Sequence, residues 1–279
     1  RDRDKLLSEK VNISYGVEYL FNRVGSEGIS YDVESNDIQT IASRYPDGST
    51  WSSLASYLSL KYKPNNRFTF QSGVRYNAIS INSDLSPNSQ FYPLPFLNAS
   101  LDTSAMSATA GFSWEQNEIF LWKLNTTTAF RAPNIDDIGK IFDSQPGYVV
   151  LPNSSLDPEY AYGCELGLNI NINNSVLLDI SSYYTHLDNA ITRDLISING
   201  VSEIFYDGEL CQTQAVQNSS EARIYGFEAG IKAILSNSFE ITSQYSLTKG
   251  RQKNNQNFDT PVRHVAPESS LPRPRRSWK

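Results

Sequence analysis

Apolar and polar residues alternate over long stretches of this chain, which is the pattern of β-strands whose two faces meet different surroundings. We predict about nine such strands, each roughly 12 residues long, whereas globular strands average about 5–6. The alternation starts, in chain order, near Leu7, Trp51, Phe68, Ala108, Phe120, Gly163, Val176, Tyr225 and Phe239. No long stretch keeps helical periodicity, so the chain is predicted to be all-β.

The connections between the predicted strands are alternately long and short. Short polar turns lie around Asn65, Asn117, Asn173 and Asn237, and long loops lie around Asp47, Gln90, Tyr148 and Gly208. An antiparallel up-and-down meander gives this alternation, because all of its short turns lie at one end. Outer-membrane barrels have short periplasmic turns and long extracellular loops, whereas a Greek-key sandwich does not keep this order.

The two faces of the predicted strands differ in chemistry. The apolar face carries aromatic residues beside the short turns, where a membrane barrel has its interfacial girdle. These residues are Tyr62, Phe68, Trp114, Phe120, Trp122 and Phe239. The charged residues predicted to face a water-filled lumen on the other side are Glu18, Arg75, Glu165, Asp179, Glu228 and Lys232. A soluble β-domain with an aromatic core also explains the alternation, and the pattern alone leaves it open.

Length, composition and charge narrow the class of protein and its possible partners. The chain has 279 residues, of which 39% are hydrophobic, and its mean hydropathy is −0.42. No apolar run approaches the ~18 residues of a membrane helix, but a barrel strand needs only one apolar face. The formal net charge of −6 argues against nucleic acid as a partner. The first residues show no signal-peptide pattern, so we expect a mature chain or a fragment.

One stretch carries most of the chain's resemblance to a known family. The segment Phe130 to Asn134 reads Phe-Arg-Ala-Pro-Asn, and Pro152 to Glu159 follows after a polar excursion. Pro133 has no N–H to donate, so the strand must stop there. This arrangement resembles a recurring stretch in the barrels of TonB-dependent outer-membrane receptors. Further segments resemble that family in order and spacing: Ser14–Glu18, Ser43–Gly48 (as in its Bacteroidetes-type members), Ser72–Tyr76, Gly226–Glu228 and Thr260–Pro267.

The resemblance implies a fold. We expect a partial antiparallel up-and-down transmembrane β-barrel, with about nine of the 22 strands of a family barrel. Residues 1–267 are assigned to this barrel segment, and the Pro/Arg-rich residues 268–279 are left unassigned as a truncated or frame-altered end. The family's plug domain and its TonB-contacting segment are expected to be absent from this chain.

The resemblance also implies a function at the outer membrane of a Gram-negative bacterium. The expected activity is energised uptake of a bulky nutrient, such as a siderophore-like metal chelate or a corrinoid. The expected partners are outer-membrane lipid, the ligand, and the TonB complex through the plug domain. No cofactor is expected. A secreted or surface-bound β-rich binding module is the alternative, and dependence on detergent distinguishes the two. An outer-membrane enzyme ranks third.

Candidate ligand-binding residues lie in the predicted long loops. They are Phe91, Tyr92, Phe96, Arg131, Asn134, Asp136, Asp137 and Tyr148. The aromatic residues among them either stack on a ligand or pack a loop against the barrel rim. The two aspartates either bind a cationic or hydroxyl-rich ligand or belong to a solvated loop.

The sequence contains no catalytic or metal-binding motif. There is no Walker loop, no G-x-S-x-G and no His-Glu metal motif. His186, near Ser181 and Ser182, is the only hint of a hydrolase. Cys164 and Cys211 have neither metal-binding nor redox spacing, and whether they pair is left open.

The loop between the two family motifs indicates whether the chain could bind haem there. Some haem receptors of the family carry a histidine there, but residues 133–153 contain none. Haem iron needs an axial His, Cys, Met or Tyr, and only Tyr148 is available in this loop. We therefore expect that haem is not the ligand through this loop.

Overall fold

A computed structural model describes residues 2–90, 97–197, 200–206, 208–236, 239–254, 259–262 and 269–276. The strands of the first half are β1 (Asp2–Ser8), β2 (Val11–Arg23), β3 (Gly28–Tyr31), β4 (Ile38–Ile41), β5 (Thr50–Asn65), β6 (Phe68–Asp84), β7 (Asn98–Glu115) and β8 (Phe120–Arg131). Those of the second half are β9 (Phe142–Gln145), β10 (Tyr148–Leu151), β11 (Glu159–Ile172), β12 (Val176–Leu195), β13 (Glu203–Tyr206), β14 (Glu209–Ser236), β15 (Phe239–Asn254), β16 (Asp259–Pro261) and β17 (Ser269–Arg276). A 3-10 helix (Ser86–Gln90) and the one-turn helix α1 (Ile135–Ile138) complete the described elements.

The long strands form one antiparallel meander. Their order in the sheet is β1-β2-β5-β6-β7-β8-β11-β12-β14, and β15 continues it beside β14. This confirms the predicted all-β, up-and-down architecture. The sheet is not closed: in the part of the chain that the structure describes, β1 pairs only with β2 and β17 only with β15. None of the described helices is long and apolar enough to cross a membrane.

Nine of these strands correspond to the nine predicted ones, but several boundaries are wrong. Strands β7 and β14 begin at Asn98 and Glu209, well before the predicted starts near Ala108 and Tyr225, and β9, β10 and β13 lie in stretches predicted as long loops. The first strand was predicted from Leu7 to Asn22, but a tight turn at Glu9 and Lys10 divides this stretch into β1 and β2. The alternation fails there because Ser8, Glu9 and Lys10 are polar in succession. The Lys10 N–H donates to Ser8 Oγ at 3.3 Å within this turn.

The end of the chain forms a strand that its sequence did not predict. Part of the segment left unassigned, Ser269–Arg276, pairs with β15 as β17. Pro272 and Pro274 lie opposite Ser243 and Ile241. Proline cannot donate to a ladder and is therefore tolerated in an edge strand, which is the position of β17 among the described strands.

Asparagine side chains build three of the four predicted short turns. Asn65 Oδ1 accepts from the N–H groups of Arg67 and Phe68, and Asn117 Oδ1 accepts from those of Ile119 and Phe120. Asn173 and Asn174 have φ angles of 51° and 55°, in the left-handed region that asparagine tolerates. Each turn is therefore specified locally by its own residues. The predicted turn at Asn237 lies outside the described residues.

The strand register extends one polar face across the whole meander. Directly opposed residues of an antiparallel pair lie on the same face, and side chains alternate along each strand. Glu165 lies opposite Tyr183, which lies opposite Gly226, and Asp179 lies opposite Gly230. By this register the six residues predicted to face a lumen share one face: Glu18, Arg75, Glu165, Asp179, Glu228 and Lys232. That this polar face lines a lumen stays a prediction.

Charges on the polar face pair with one another. Arg75 Nη2 lies 2.7 Å from Glu18 Oε1 on the neighbouring part of the sheet. Lys232 Nζ lies 3.2 Å from Glu240 Oε2. Exposed ion pairs of this kind contribute at most about 1 kcal/mol each, so the sheet owes little of its stability to them.

The opposite face is apolar and exposed. Large hydrophobic side chains are exposed on it from β2 to β14, among them Val17, Leu58, Val74, Met106, Phe112, Leu124, Leu166 and Phe227. Near the short turns Phe68 stacks with Phe112 and Trp114, with ring centroids 5.7 and 6.1 Å apart. An apolar surface of this extent on a water-soluble domain is rare, whereas a barrel presents such a surface to lipid.

A compact core covers the polar face at the long-loop end. Ile79 and Ile81 of β6 are buried there against Ile135 and Ile138 of α1 and Leu156 of the returning chain. A second cluster contains Leu85, Ile141, Val149, Leu151 and Cys211. The excursion after Pro133 therefore folds back over the polar face and fixes the site described below.

The face assignment predicts unequal costs for two adjacent charges. In the complete receptor, Leu178→Arg should reduce the folding free energy because it places a cation on the lipid-facing side, although by less than the about 2–4 kcal/mol of a mid-membrane position, since Leu178 lies level with Phe120 of the aromatic girdle. Asp179→Arg should cost much less, since its side chain lies on the polar face. Reversible folding into lipid vesicles measures both. Equal costs would refute the assignment.

The loop pattern predicts which positions are accessible from outside. In a background with Cys164 and Cys211 replaced by serine, Asp47→Cys and Tyr148→Cys should react with a membrane-impermeant maleimide on intact cells. Asn65→Cys and Asn117→Cys should react only after permeabilisation, because short turns of outer-membrane barrels are periplasmic. Labelling of the second pair on intact cells would contradict the topology.

Candidate functional site

A cleft of about 420 Å³ opens on the polar face at the long-loop end. Asn22, Val24, Tyr45, Trp51, Asn134, Ile135 and Asp136 line it. Its lining combines two aromatic rings with amide and carboxylate groups, a mixture typical of ligand sites. A larger hollow of about 630 Å³ lies elsewhere, between residues that include Tyr19 and Leu54 of the apolar face. Its position on the apolar face makes it a poor site for a ligand arriving from water.

The cleft wall is built by a strand end and a helix cap. Pro133 is buried and ends β8, and Asn134 takes an extended conformation with φ −127° before α1. Asn134 Oδ1 accepts from the N–H of Asp137 at 3.1 Å, and Asp137 Oδ2 accepts from the N–H of Asn134 at 3.0 Å. This reciprocal capping box satisfies two N–H groups that a helix start leaves unpaired. It also fixes the direction in which Asp136 points.

Arg131 completes the cap. Its Nη2 lies 2.8 and 2.9 Å from the two carboxylate oxygens of Asp137. The Asp137 side chain is 7% exposed and that of Arg131 is 44% exposed. The Asp137 carboxylate is thus buried and fully occupied by partners within the chain, which leaves Asp136 as the carboxylate that faces the cleft.

Asp136 joins the cleft to a neighbouring loop. Tyr45 donates its hydroxyl to Asp136 Oδ1 at 2.8 Å, and Lys140 Nζ donates to Oδ2 at 2.6 Å. Burial on its own would raise the pKa of the Asp136 carboxyl. Hydrogen bonds from Lys140 and Tyr45, with the positive charges of Lys140 and Arg44, outweigh it and lower that pKa below its ordinary value. The hydrogen bond to Asp136 and burial raise the pKa of Tyr45.

Three cations surround one aromatic ring beside this network. The guanidinium carbons of Arg44 and Arg193 lie 4.6 and 5.2 Å from the centroid of Phe142, and Lys140 Nζ lies 4.9 Å from it. We call Arg44, Lys140, Phe142 and Arg193 the Phe142 cluster. The sequence did not predict it, because its members come from three separate segments. The Ser43–Gly48 motif contained Arg44 but gave no signal for its partners.

The other predicted ligand residues are dispersed or undescribed. The structure brings Arg131, Asn134, Asp136 and Asp137 together around α1. Tyr148 begins β10, is half-buried, and lies opposite Gln212 and Gln145 rather than in the cap network. Phe91, Tyr92 and Phe96 lie outside the described residues. The ligand roles of all these residues stay predictions.

The structure shows where His186 lies and whether the two cysteines pair. His186 and Ser182 lie on the apolar face, with the His186 ring 6.4 Å from that of Tyr162, whereas Ser181 lies on the polar face. Cys164 is exposed, Cys211 is buried, and both are free, so they do not pair. The described residues hold no group of three or more His, Cys, Asp or Glu side chains that could bind a metal.

An open antiparallel meander with an exposed apolar face and long loops over its polar face defines the chain as part of an outer-membrane β-barrel. A family model described as "TonB dependent receptor-like, beta-barrel" matches residues 3–277. The chain therefore belongs to the TonB-dependent receptor family, as a segment of its barrel. The likeness of residues 43–48 to Bacteroidetes-type members stays a prediction.

Relatives of known sequence match this chain at low identity. The haemoglobin and haemoglobin-haptoglobin-binding protein of Haemophilus ducreyi is 25% identical over 96% of this chain and 27% of its own length. The iron-regulated outer membrane virulence protein of Vibrio cholerae is 25% identical over 50% of this chain and 22% of its own length. The chain thus spans about a quarter of the length of these relatives. None of them is described as an enzyme.

Solved structures share the fold at lower identity. The copper transporter OprC superposes with a TM-score of 0.72 at 15% identity, covering 94% of this chain and 38% of its own. The ferric yersiniabactin uptake receptor FyuA from Yersinia pestis gives 0.63 at 14% identity, covering 96% of this chain and 37% of its own.

The Asp136 network predicts a pH-dependent local stability. Because the folded state lowers the pKa of Asp136, its ionised form stabilises the fold above the ordinary carboxyl pKa of about 3.9. This contribution is lost as pH falls through the lowered value. Asp136→Asn should therefore reduce hydrogen-exchange protection around Gly139 at neutral pH, and the difference from the wild type should shrink as the pH falls below about 3.9. Asp37→Asn, in the β3–β4 hairpin, is the control. A pH-independent difference would refute the assigned role.

Proposed function

We propose that this chain is part of a receptor that takes up a bulky nutrient, such as a siderophore-like metal chelate or a corrinoid, across the outer membrane. The observation that carries the proposal is the cleft at the long-loop end, with Tyr45 and Trp51 on one side and Asn134 and Asp136 on the other. It opens on the polar face, where an aqueous ligand would meet the barrel. Two aromatic rings offer stacking area, and the polar groups offer orientation.

The proposed energy source is the TonB complex, acting through a plug domain. Support comes from membership of the family, whose barrels enclose a plugged lumen. The polar face is wide and carries charges such as Glu18, Glu165 and Glu228, which a plug in the lumen would meet. The proteins named above bind haemoglobin, transport copper or take up ferric yersiniabactin. Because these ligands differ, the comparison does not select one ligand class for this chain.

A secreted or surface-bound binding module is the second candidate. The exposed apolar face argues against this candidate, since in a water-soluble module Leu58, Val74 and Leu124 would all be exposed to water. A receptor requires detergent to remain dispersed, whereas a module stays dispersed in buffer alone. Ultracentrifugation after removal of detergent separates the two proposals.

Uptake by cells tests the proposed function directly. Cells that express the complete receptor should accumulate radiolabelled ferric chelate or labelled corrinoid, and a strain that lacks TonB should not. Trp51→Ala should raise the concentration for half-maximal uptake about tenfold, equivalent to about 1.4 kcal/mol. Trp51→Phe, which keeps an aromatic ring in the cleft, is the matched control and should restore most of the affinity. Uptake that is equal with and without TonB would overturn the proposal.

Haem is predicted not to bind through the loop between Pro133 and Asn153. Tyr148 is the only residue of that loop that can supply an axial ligand. His186 offers no alternative, because it lies on the apolar face against Tyr162. Addition of haem to the complete receptor should therefore give no Soret shift. A shift that disappears in Tyr148→Phe would prove the prediction wrong.

A further inference from the structure

The Phe142 cluster gathers positive charge at one point of the loop region. Arg44 precedes β5, Lys140 follows α1, and Arg193 extends from the end of β12. Their cationic groups all lie within 5.2 Å of the centre of one ring. The backbone also contributes to this meeting, since the N–H of Ile141 donates to the carbonyl of Arg44 at 3.3 Å.

The charges of this cluster are only partly balanced. Lys140 pairs with Asp136 at 2.6 Å and its side chain is 8% exposed. Arg44 and Arg193 are exposed, and neither is in a salt bridge with a described carboxylate. A cation over a ring gains about 0.5–1 kcal/mol at an exposed site. Mutual repulsion of cations this close opposes that gain, and an anion between them would remove the repulsion.

The cluster adjoins the proposed ligand cleft. The guanidinium of Arg44 lies 5.5 Å from the centre of the Tyr45 ring, and Lys140 holds Asp136. Tyr45 and Asp136 both line the cleft. A ligand that extends from the cleft past Tyr45 would therefore meet Arg44 first, with Arg193 on the same Phe142 ring behind it.

We propose that Arg44 and Arg193 form an anion-binding subsite of the cleft, and that the transported ligand is an anionic chelate with carboxylate or catecholate oxygens. Guanidinium groups suit such oxygens because their N–H donors are planar and always charged. This inference rests on the proposed function and narrows its ligand class, because an uncharged corrinoid gains nothing from the subsite. Phe142 acts as the support that holds both guanidinium groups in place.

Binding of a simple anion tests the subsite without reference to transport. Citrate, a tricarboxylate, is titrated into the complete receptor in detergent and followed by calorimetry, with glycerol as the uncharged probe. Citrate should bind and glycerol should not. Arg44→Gln and Arg193→Gln should each weaken citrate binding about tenfold, and the double variant should abolish it. Arg67→Gln removes the same charge at a short turn, at the far end of the sheet, and should bind citrate as the wild type does.

Further measurements separate a ligand role from a structural one. Each variant should keep the far-UV spectrum and the heat-modifiable gel mobility of the wild type. Arg44→Lys keeps the charge without the planar donors and should bind with intermediate affinity. Salt should weaken citrate binding in the wild type more steeply than in either single variant. Variants that lose thermal stability but bind citrate with unchanged affinity would show that the arginines only hold the loops.

The failure of this inference and that of the proposed function give different results. If the wild type does not bind citrate, or the double variant and Arg67→Gln bind it equally, the subsite is refuted while chelate uptake can still be observed. If citrate binds as expected but cells accumulate neither ferric chelates nor corrinoids, the proposed function fails and the anion site stands. A wild type that transports an uncharged ferric hydroxamate better than a trianionic ferric catecholate would refute the ligand class.

Discussion

Backbone hydrogen bonding in a medium without water is the constraint on which the rest of this structure depends. Every N–H and C=O within lipid must find a partner in the protein. The meander meets this demand by pairing each long strand with a neighbour on both sides, as β11 does with β8 and β12. Unpaired edges are not tolerated in lipid, so β1 and β17 need strands of the remaining receptor beside them.

The same pairing decides where each side chain lies. Since the strand repeat is two residues, a slip by one residue would exchange the faces. Leu178 and Asp179 would then exchange the apolar face for the polar face. The short asparagine turns prevent such slips, because Asn65 and Asn117 each bind the two N–H groups that follow them. The register is therefore anchored at one end of the sheet, which leaves the other end free for long loops.

The long-loop end uses this freedom to build a site. Pro133 ends β8, the cap of α1 sets the direction of the chain, and Ile138 packs against Ile79 and Ile81 on the polar face. The two carboxylates of α1 are paired within the chain, Asp137 with Arg131 and Asp136 with Lys140. What remains open is the cleft lined by Tyr45 and Trp51, with the guanidinium of Arg44 beside the Tyr45 ring.

The sequence by itself determined the strands, their two faces and the short turns. These features depend on local periodicity, on asparagine chemistry, and on a proline that must end β8 at Pro133. It did not predict the turn between β1 and β2, where three polar residues interrupt the alternation. It also did not predict β17, because prolines are unusual in a strand and are tolerated there only at the sheet edge. Only the tertiary structure decided the site: Tyr45 meets Asp136 across 91 positions of the chain, and Arg193 reaches Phe142 from another strand. No periodicity encodes such meetings, because they depend on how the long loops fold back over the sheet.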